Sequence, residues 1–280
     1  MPNRSVGIIG VGLIGGSIGL AALRYGYDVF LYEPVAPGRL ASERFSAAKL
    51  VSTLEDLVEQ TQLVIIATPI SAITKVGAEL AAVVTPDHLV SDVASVKQPV
   101  AEVLSQALKG RCEYVPIHPM TGSEKSGADA ARADLFDGVV TFVSPEFASG
   151  QAVVDSVKRY WEDLGARIVT MSVLDHDRIV AAMSHLPHLV AALLVKQVSQ
   201  SDPNALNLSG PGFCDTTRIA SGSPELWSEI LLANVGFIRP QLSGFKALLD
   251  EILALLEAKD VKRLQELLEE AKRSRDRLLA

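Results

Sequence analysis

Cysteine is scarce in this chain. Cys112 and Cys214 are the two it carries in 280 residues, and they form neither a C-x-x-C pair nor a disulfide framework. A disulfide-stapled secreted scaffold is therefore excluded, no metal site is expected, and a reducing cytoplasmic setting is the default. A surplus of positive charge is missing too. The formal net charge is −7, whereas proteins that bind nucleic acid need basic patches to displace counterions from phosphates. Long hydrophobic runs are also wanting. Stretches such as "LVIIATPISAI" are short and interrupted, so no membrane span is expected. The N-terminal "MPNRSVGIIG" turns glycine-rich before the apolar core of a signal peptide develops. Internal repeats and low-complexity segments are absent. What remains is 48% hydrophobic and 21% charged residues, the composition of a soluble globular protein with one large domain or two ordinary ones.

Up to residue 171 the sequence alternates short β-branched runs with helix-like segments. "VGIIG", "DVFLY", "LVIIAT", "HLVSDV", "CEYVPIH", "VVTFVS" and "ARIVTM" read as strands, several of them apolar on both faces as in a parallel sheet. Helical segments lie between, for instance "SIGLAALRYG" with Gly26 as its stop signal. This order predicts an α/β fold with a Rossmann-type doubly wound sheet over residues 1–171. From Ser172 the strand signals stop, and residues 172–280 read as an all-helical domain with a loop around "SQSDPNALNLSGPGFCDTT". Near its end Leu242, Phe245, Leu249, Ile252 and Leu256 recur at spacings of three and four. That seam suits either a subunit interface or a face inside one helical bundle.

"GIIGVGLIGGSIG" holds Gly10, Gly12 and Gly15 in the order G-x-G-x-x-G, with Leu13 and Ile14 between the last pair. The pattern follows an apolar strand and opens a helix, the context that makes it a dinucleotide fingerprint. Gly10 permits the tight turn, Gly12 lets the backbone approach a pyrophosphate, and Gly15 allows close helix packing. The helix N-terminus then receives the anion. Glu33 follows the second strand, where a carboxylate accepts from the ribose hydroxyls and repels a 2′-phosphate. NAD is the expected cofactor, and Arg39 is the nearby cation that would favour NADP instead.

Hydride transfer to a dinucleotide needs a proton acceptor for a substrate hydroxyl, and an anionic substrate needs a cation. Such groups gather at the carboxyl ends of strands. The sequence supplies Thr68 and Pro69 after "LVIIA", Asp92 to Lys97 in "SDVASVK", and His118 in "YVPIHPMTG". A strand-end histidine is more often structural, but three polar strand ends behind a dinucleotide motif favour a catalytic one.

"SDVASVK", "HPMTG", "DHDRIVAAMSHLPHLVAA" and "GFCDTTRIASGSPELW", in this order behind the glycine fingerprint, resemble the prephenate/arogenate dehydrogenases of tyrosine biosynthesis. The likeness runs from about Val6 to at least Trp227, and the helical tail is similar to that family's dimerising domain. The resemblance implies NAD(P)-dependent oxidation of prephenate or arogenate with loss of CO₂, in a homodimer. It makes His118 the acceptor of the ring-hydroxyl proton and Ser95 a hydroxyl that orients it. It makes Arg218 the clamp for a substrate carboxylate, with Thr217, His185, His188 and Glu124 as further substrate contacts. His188 tilts the expectation toward prephenate. Each residue also has a bland role: Ser95 as cap of the following helix, Arg218 as partner of Asp215 or Glu225, and the two histidines as partners of each other or of a carbonyl. One departure stands out. Many members carry a basic residue before the Asp of "DTTR", where this chain has Cys214. Neither a chorismate mutase segment ahead of the fingerprint nor an appended regulatory domain is expected. The competing readings are a hydroxyacid or imine-reducing dehydrogenase, in which a lysine on an interdomain helix is typical, and a dinucleotide sensor without turnover, which would need the glycines but not His118 and Arg218 together.

Overall fold

The apolar runs become central strands because both of their faces are covered. A computed structural model of the chain describes residues 4–35, 43–123, 125–202 and 204–278. Eight strands form one sheet: β1 (Ser5–Ile9), β2 (Asp28–Tyr32), β3 (Lys49–Leu50), β4 (Leu63–Ile66), β5 (Leu89–Asp92), β6 (Glu113–Pro119), β7 (Val140–Val143) and β8 (Arg167–Thr170). Their order is β3-β2-β1-β4-β5-β6-β7-β8. Helices α1 (Leu13–Arg24) and α5 (Gln151–Asp163) cover one face, where Ile18, Ala21, Val154 and Trp161 pack on Ile8, Ile65 and Val115. Helices α2 (Leu54–Gln60), α3 (Ile73–Val83) and α4 (Gln98–Leu108) cover the other, where Leu57, Leu80 and Leu104 meet Val64, Ile66 and Val90. This is the doubly wound arrangement, and Gly26 ends α1 at φ +76° as its position predicts.

Two details depart from a uniform parallel sheet. β1, β2, β3, β4, β5 and β6 pair in parallel, but β7 runs antiparallel to β6, with His118 opposite Phe142. Among the described residues between β6 and β7 there is a short 3₁₀ turn (Ala128–Ala130) and no long crossover helix, so β7 returns in the opposite direction. β3 escapes notice in the sequence because both of its residues are exposed and it is too short to alternate.

Beyond β8 the chain is helical. Ser172 caps α6 (Val173–Val180), its hydroxyl accepting from Asp175 N at 3.0 Å. A π-helical turn (Ala181–His185) leads directly into α7 (Leu186–Ser201). α8 (Pro211–Thr217) and α9 (Pro224–Ala233) follow, and all of these belong with the sheet to one compact unit that runs to Asn234. α10 (Val235–Ala258) and α11 (Val261–Asp276) make a second unit, which begins at Val235. α8 lies inside the stretch expected to be loop. The Gly-Pro-Gly run reads as a turn, yet Pro211 is set for the first position of a helix.

The expectation about apolar runs also needs correction. Val173–Ser201 is a helical run of 29 residues, long and apolar enough by length and composition to cross a bilayer. In its most apolar window 28% is buried, and the run carries a buried polar pair, His176 and Asp177. The seam on α10 forms as one helical stripe. Its Leu249 and Leu256 are exposed, while Leu242, Phe245 and Ile252 are half-buried.

Candidate active site

The glycine turn sits at the carboxyl end of β1. Gly10 adopts φ +90°, and a Cβ there would lie 2.9 Å from the Ala67 carbonyl oxygen. A Cβ on Gly15 would lie 1.9 Å from the carbonyl oxygen of Gly10, so only glycine lets α1 start this close to the strand. Gly12 has open space where its Cβ would be, and α1 begins with no side-chain cap and no acidic residue in its first turn. Its N–H groups are left for an anion. Glu33, just past β2, accepts from Val11 N at 2.9 Å and from Val35 N at 3.0 Å, which ties the carboxylate to the glycine turn. Thr68 and Pro69 follow β4 on the neighbouring position, and the buried Thr68 hydroxyl has no partner among the described residues. The cradle fits a dinucleotide. Arg39 lies outside the described residues.

His118 closes β6 and is buried. Its Nδ1 lies 2.8 Å from His176 Nε2, and His176 Nδ1 lies 2.8 Å from Asp177 Oδ1. The far end of this chain fixes the protons. Asp177 accepts from the backbone N–H groups of Lys97 at 2.7 Å and Gln98 at 2.8 Å, one on each oxygen, as an ionised carboxylate does. His176 Nδ1 must then donate to Asp177, so a neutral His176 accepts at Nε2 and His118 donates from Nδ1. This leaves His118 Nε2 with a free lone pair, and it makes no hydrogen bond among the described residues. Burial, with His176, Lys97 and His185 nearby, holds His118 well below the ordinary imidazole range, and burial lowers His176 despite its bond to Asp177. The chain is a neutral base backed by a carboxylate.

The carbonyl just before His118 is held separately. Lys97, fully buried, donates from Nζ to Ile117 O at 2.6 Å and forms an ion pair with the equally buried Asp92. Asp92 also accepts from the Tyr114 hydroxyl at 2.7 Å. Burial lowers the Lys97 ammonium and Asp92 opposes that shift. Lys97 is thus an internal, ion-paired residue at the start of α4. Ser95 lies half-buried in the loop between β5 and α4. Lys97 holds the N-cap position of α4 without a capping bond of its own, and Asp177 takes the first amides instead, so the capping role for Ser95 is excluded.

The helical segment brings further histidines. His185 ends the π turn, buried, and its Nδ1 lies 3.1 Å from Asn234 Nδ2. His188, on α7, stacks on Trp227 of α9 with ring centroids 3.5 Å apart and planes at 12°. Its Nδ1 is buried and has no partner among the described residues. A Cβ on Gly222 would lie 2.5 Å from the Trp227 indole nitrogen, so glycine is needed beside this stack. His185 and His188 therefore do not satisfy each other. Thr217 is buried and spends its hydroxyl proton on Phe213 O at 2.7 Å. Arg218 is exposed in the turn after α8. Glu124 lies outside the described residues. Cys214 is exposed, its Sγ 3.8 Å from the Ser209 hydroxyl. The structure thus gathers the glycines, Glu33 and Thr68 at one set of strand ends and joins His118 to the helical segment through His176.

His176, Asp177, Asn234 and Trp227 escape the sequence reading. A signal for the first two exists. The buried positions of α6 are Val173, His176, Asp177 and Val180, at spacings of three, one and three, so a polar pair occupies an otherwise apolar stripe. Nothing local marks Asn234, whose partners are far away in the sequence.

Residues 23–170 match the sequence profile "Prephenate dehydrogenase, nucleotide-binding domain", and residues 172–270 match "Prephenate dehydrogenase, dimerization domain". The prephenate dehydrogenase of Bacillus subtilis is 34% identical over 97% of this chain and 75% of its own length. The cyclohexadienyl dehydrogenase of Zymomonas mobilis is 32% identical over 97% of this chain and 95% of its own. The structure of A. aeolicus prephenate dehydrogenase with hydroxyphenyl propionate and NAD⁺ superimposes with a TM-score of 0.89 at 29% identity, covering 98% of each chain. With a buried histidine chain at the end of β6 and a glycine cradle on β1, the chain belongs to the prephenate dehydrogenase family.

Proposed function

We propose that this protein is an NAD-dependent dehydrogenase that oxidises and decarboxylates prephenate to 4-hydroxyphenylpyruvate in tyrosine biosynthesis. The observation that carries the reading is the Asp177–His176–His118 chain, which leaves an unprotonated imidazole nitrogen at a strand end. The Gly10–Gly12–Gly15 cradle and Glu33 would hold NAD, which would supply the hydride acceptor for the ring carbon that bears the hydroxyl.

His118 Nε2 takes the hydroxyl proton as that carbon becomes a carbonyl. Positive charge then develops on the imidazole, and the bond to His176, backed by Asp177, spreads and offsets it. Loss of CO₂ turns the ring aromatic, and His118 returns its proton to the phenolate oxygen. Aromatisation supplies the thermodynamic pull, so the residues mainly position, accept a proton and hold carboxylates. Arg218 is the carboxylate clamp, because a guanidinium offers two parallel donors. His185, His188 and Thr217 complete the substrate contacts, and Ser95 orients the hydroxyl end. Replacing Arg218 by Ala should raise KM for the substrate by roughly 10- to 100-fold, the worth of a charged hydrogen bond, with NAD affinity nearly intact. The active form is a homodimer built through the dimerisation domain, with Phe245 and Ile252 of α10 in the interface. A charged residue at either should yield monomer in light scattering, and an unchanged dimer would move the interface elsewhere.

The deciding experiment measures NADH or NADPH formation with prephenate and with arogenate, each with both cofactors. The expected result is the highest kcat/KM for prephenate with NAD. A strong preference for arogenate would overturn the substrate, a preference for NADP would overturn the role of Glu33, and no turnover with either substrate would overturn the activity.

A further inference from the structure

Asn234 is buried at the end of the first compact unit, and its amide nitrogen serves two partners. Nδ2 lies 2.9 Å from the carbonyl oxygen of Asp177 and 3.1 Å from His185 Nδ1. A carbonyl oxygen only accepts, so the atom facing it must be the amide nitrogen and not the amide oxygen. The same NH₂ group has only donors to offer to the imidazole. His185 Nδ1 must therefore be the unprotonated nitrogen, and a neutral ring then carries its proton on Nε2.

The backbone explains why this contact exists. α6 gives way to a π turn at Ala181–His185, which widens the helix by one residue and brings His185 to Asn234. The Asp177 carbonyl lies just ahead of that turn and already accepts from Ala181 N, and Asn234 occupies its second lone pair. Trp227 stands edge-on to His185 at 6.1 Å. Burial keeps the imidazole neutral, with its pKa lowered to about 4; Asp177 acts to raise it, and His176 and His188 act to lower it.

We propose that Asn234 is a positioning residue that holds His185 as the neutral Nε2–H tautomer, making His185 a fixed hydrogen-bond donor to a substrate oxygen and removing it as a rival base to His118. The nature of the oxygen rests on the prephenate reading above; the tautomer does not. Two neighbouring histidines of this unit thus carry opposite polarity. His118 offers a lone pair at Nε2, and His185 offers a proton at Nε2. The difference arises because a carboxylate terminates one chain and an amide terminates the other.

The first test is long-range ¹H–¹⁵N correlation on the labelled full-length protein without substrate at neutral pH, with the His185 signals identified by their loss in His185→Gln. The expected pattern is a protonated Nε2 and a bare Nδ1. Asn234→Asp replaces the donor with an acceptor of the same shape and should move the proton to Nδ1, with kcat/KM down by ~10-fold or more. A protonated Nδ1 in the unaltered protein, or an unmoved proton in Asn234→Asp, overturns the proposal. Should Asn234→Asp fail to fold, the unaltered spectrum and a second pair of variants decide. His185→Gln can place an amide N–H where Nε2–H was, and His185→Asn reaches only the Nδ1 position. The glutamine variant should retain more kcat/KM, and both should keep the acid limb of the pH profile. Equal losses in the two, or a lost acid limb, would mark His185 as something other than a donor. Because the tautomer is read without turnover, failure of the prephenate assay leaves this test standing.

Discussion

At the β1–α1 turn the atoms offered to a ligand are backbone N–H groups; at the end of β6 they are imidazole nitrogens. The turn is made from neighbours in sequence, Gly10 to Gly15, and works because Gly10 and Gly15 have no Cβ. The histidine chain draws on β6 and α6, and its terminal carboxylate also binds the start of α4. The difference shows in what each tolerates. A backbone cradle fails when a single methyl is added, whereas a proton chain fails when an atom of the right shape has the wrong hydrogen.

The sharpest way to test the contrast is His118→Asn, which keeps shape and one hydrogen bond but removes the proposed base. A loss of about two to four orders of magnitude in kcat is expected, the usual worth of a positioned base, with substrate KM changing far less. As the proposed base, His118 must be neutral to act. Since burial lowers its pKa well below the ordinary 6.5, the acid limb of kcat/KM should lie well below that pH. Normal turnover by the Asn variant, with the limb intact, would move the proton acceptor elsewhere.

Gly15→Ala breaks the other side with one methyl. The added carbon meets the Gly10 carbonyl, so the turn must shift, and KM for NAD should rise by roughly 10- to 100-fold if one charged hydrogen bond is lost. Steady-state titration of NAD at saturating substrate measures this, and an unchanged KM would mean that the pyrophosphate rests elsewhere. A smaller change is expected from Glu33→Ser. Removing the carboxylate should narrow the preference for NAD over NADP by about tenfold, read as the ratio of the two kcat/KM values. If the ratio stays put, Glu33 serves only the Val11 and Val35 amides.

The smallest effect is on stability. His118, His176, His185 and His188 are all lowered, with burial the leading cause. Each is neutral in the fold, while the unfolded chain takes up protons below about pH 6.5. Stability is therefore fully present above that pH and declines as pH falls toward His185's value of about 4. Tm should drop over this window in scanning calorimetry, and His185→Gln should flatten part of the slope. A Tm independent of pH there would contradict the burial of these rings.

The contrast also explains what could be read from the residues alone. The cradle, the central strands and the change of texture near Ser172 are local patterns of glycine, β-branched residues and caps, and they were legible. His118 was legible because it ends an apolar strand. Its partner was not, because His176 sits in a segment whose neighbouring histidines drew attention to α7. The reversal of β7 depends on a missing crossover helix, and α8 hides in a Gly-Pro-Gly run. Asn234 becomes meaningful only when the π turn brings His185 to it.

Asp177 holds the amides of Lys97 and Gln98 as well as His176, so one carboxylate serves as the cap of α4 and the anchor of the proton chain. Local opening of the first turn of α4 would release those amides to solvent and at the same moment loosen the anchor. Amide exchange at Lys97 and Gln98 is then a gauge of how often the enzyme stands in a catalytically incompetent state. For anyone seeking a hardier enzyme, stiffening this one helix start should lengthen the time spent competent without a single change to a group that meets the substrate.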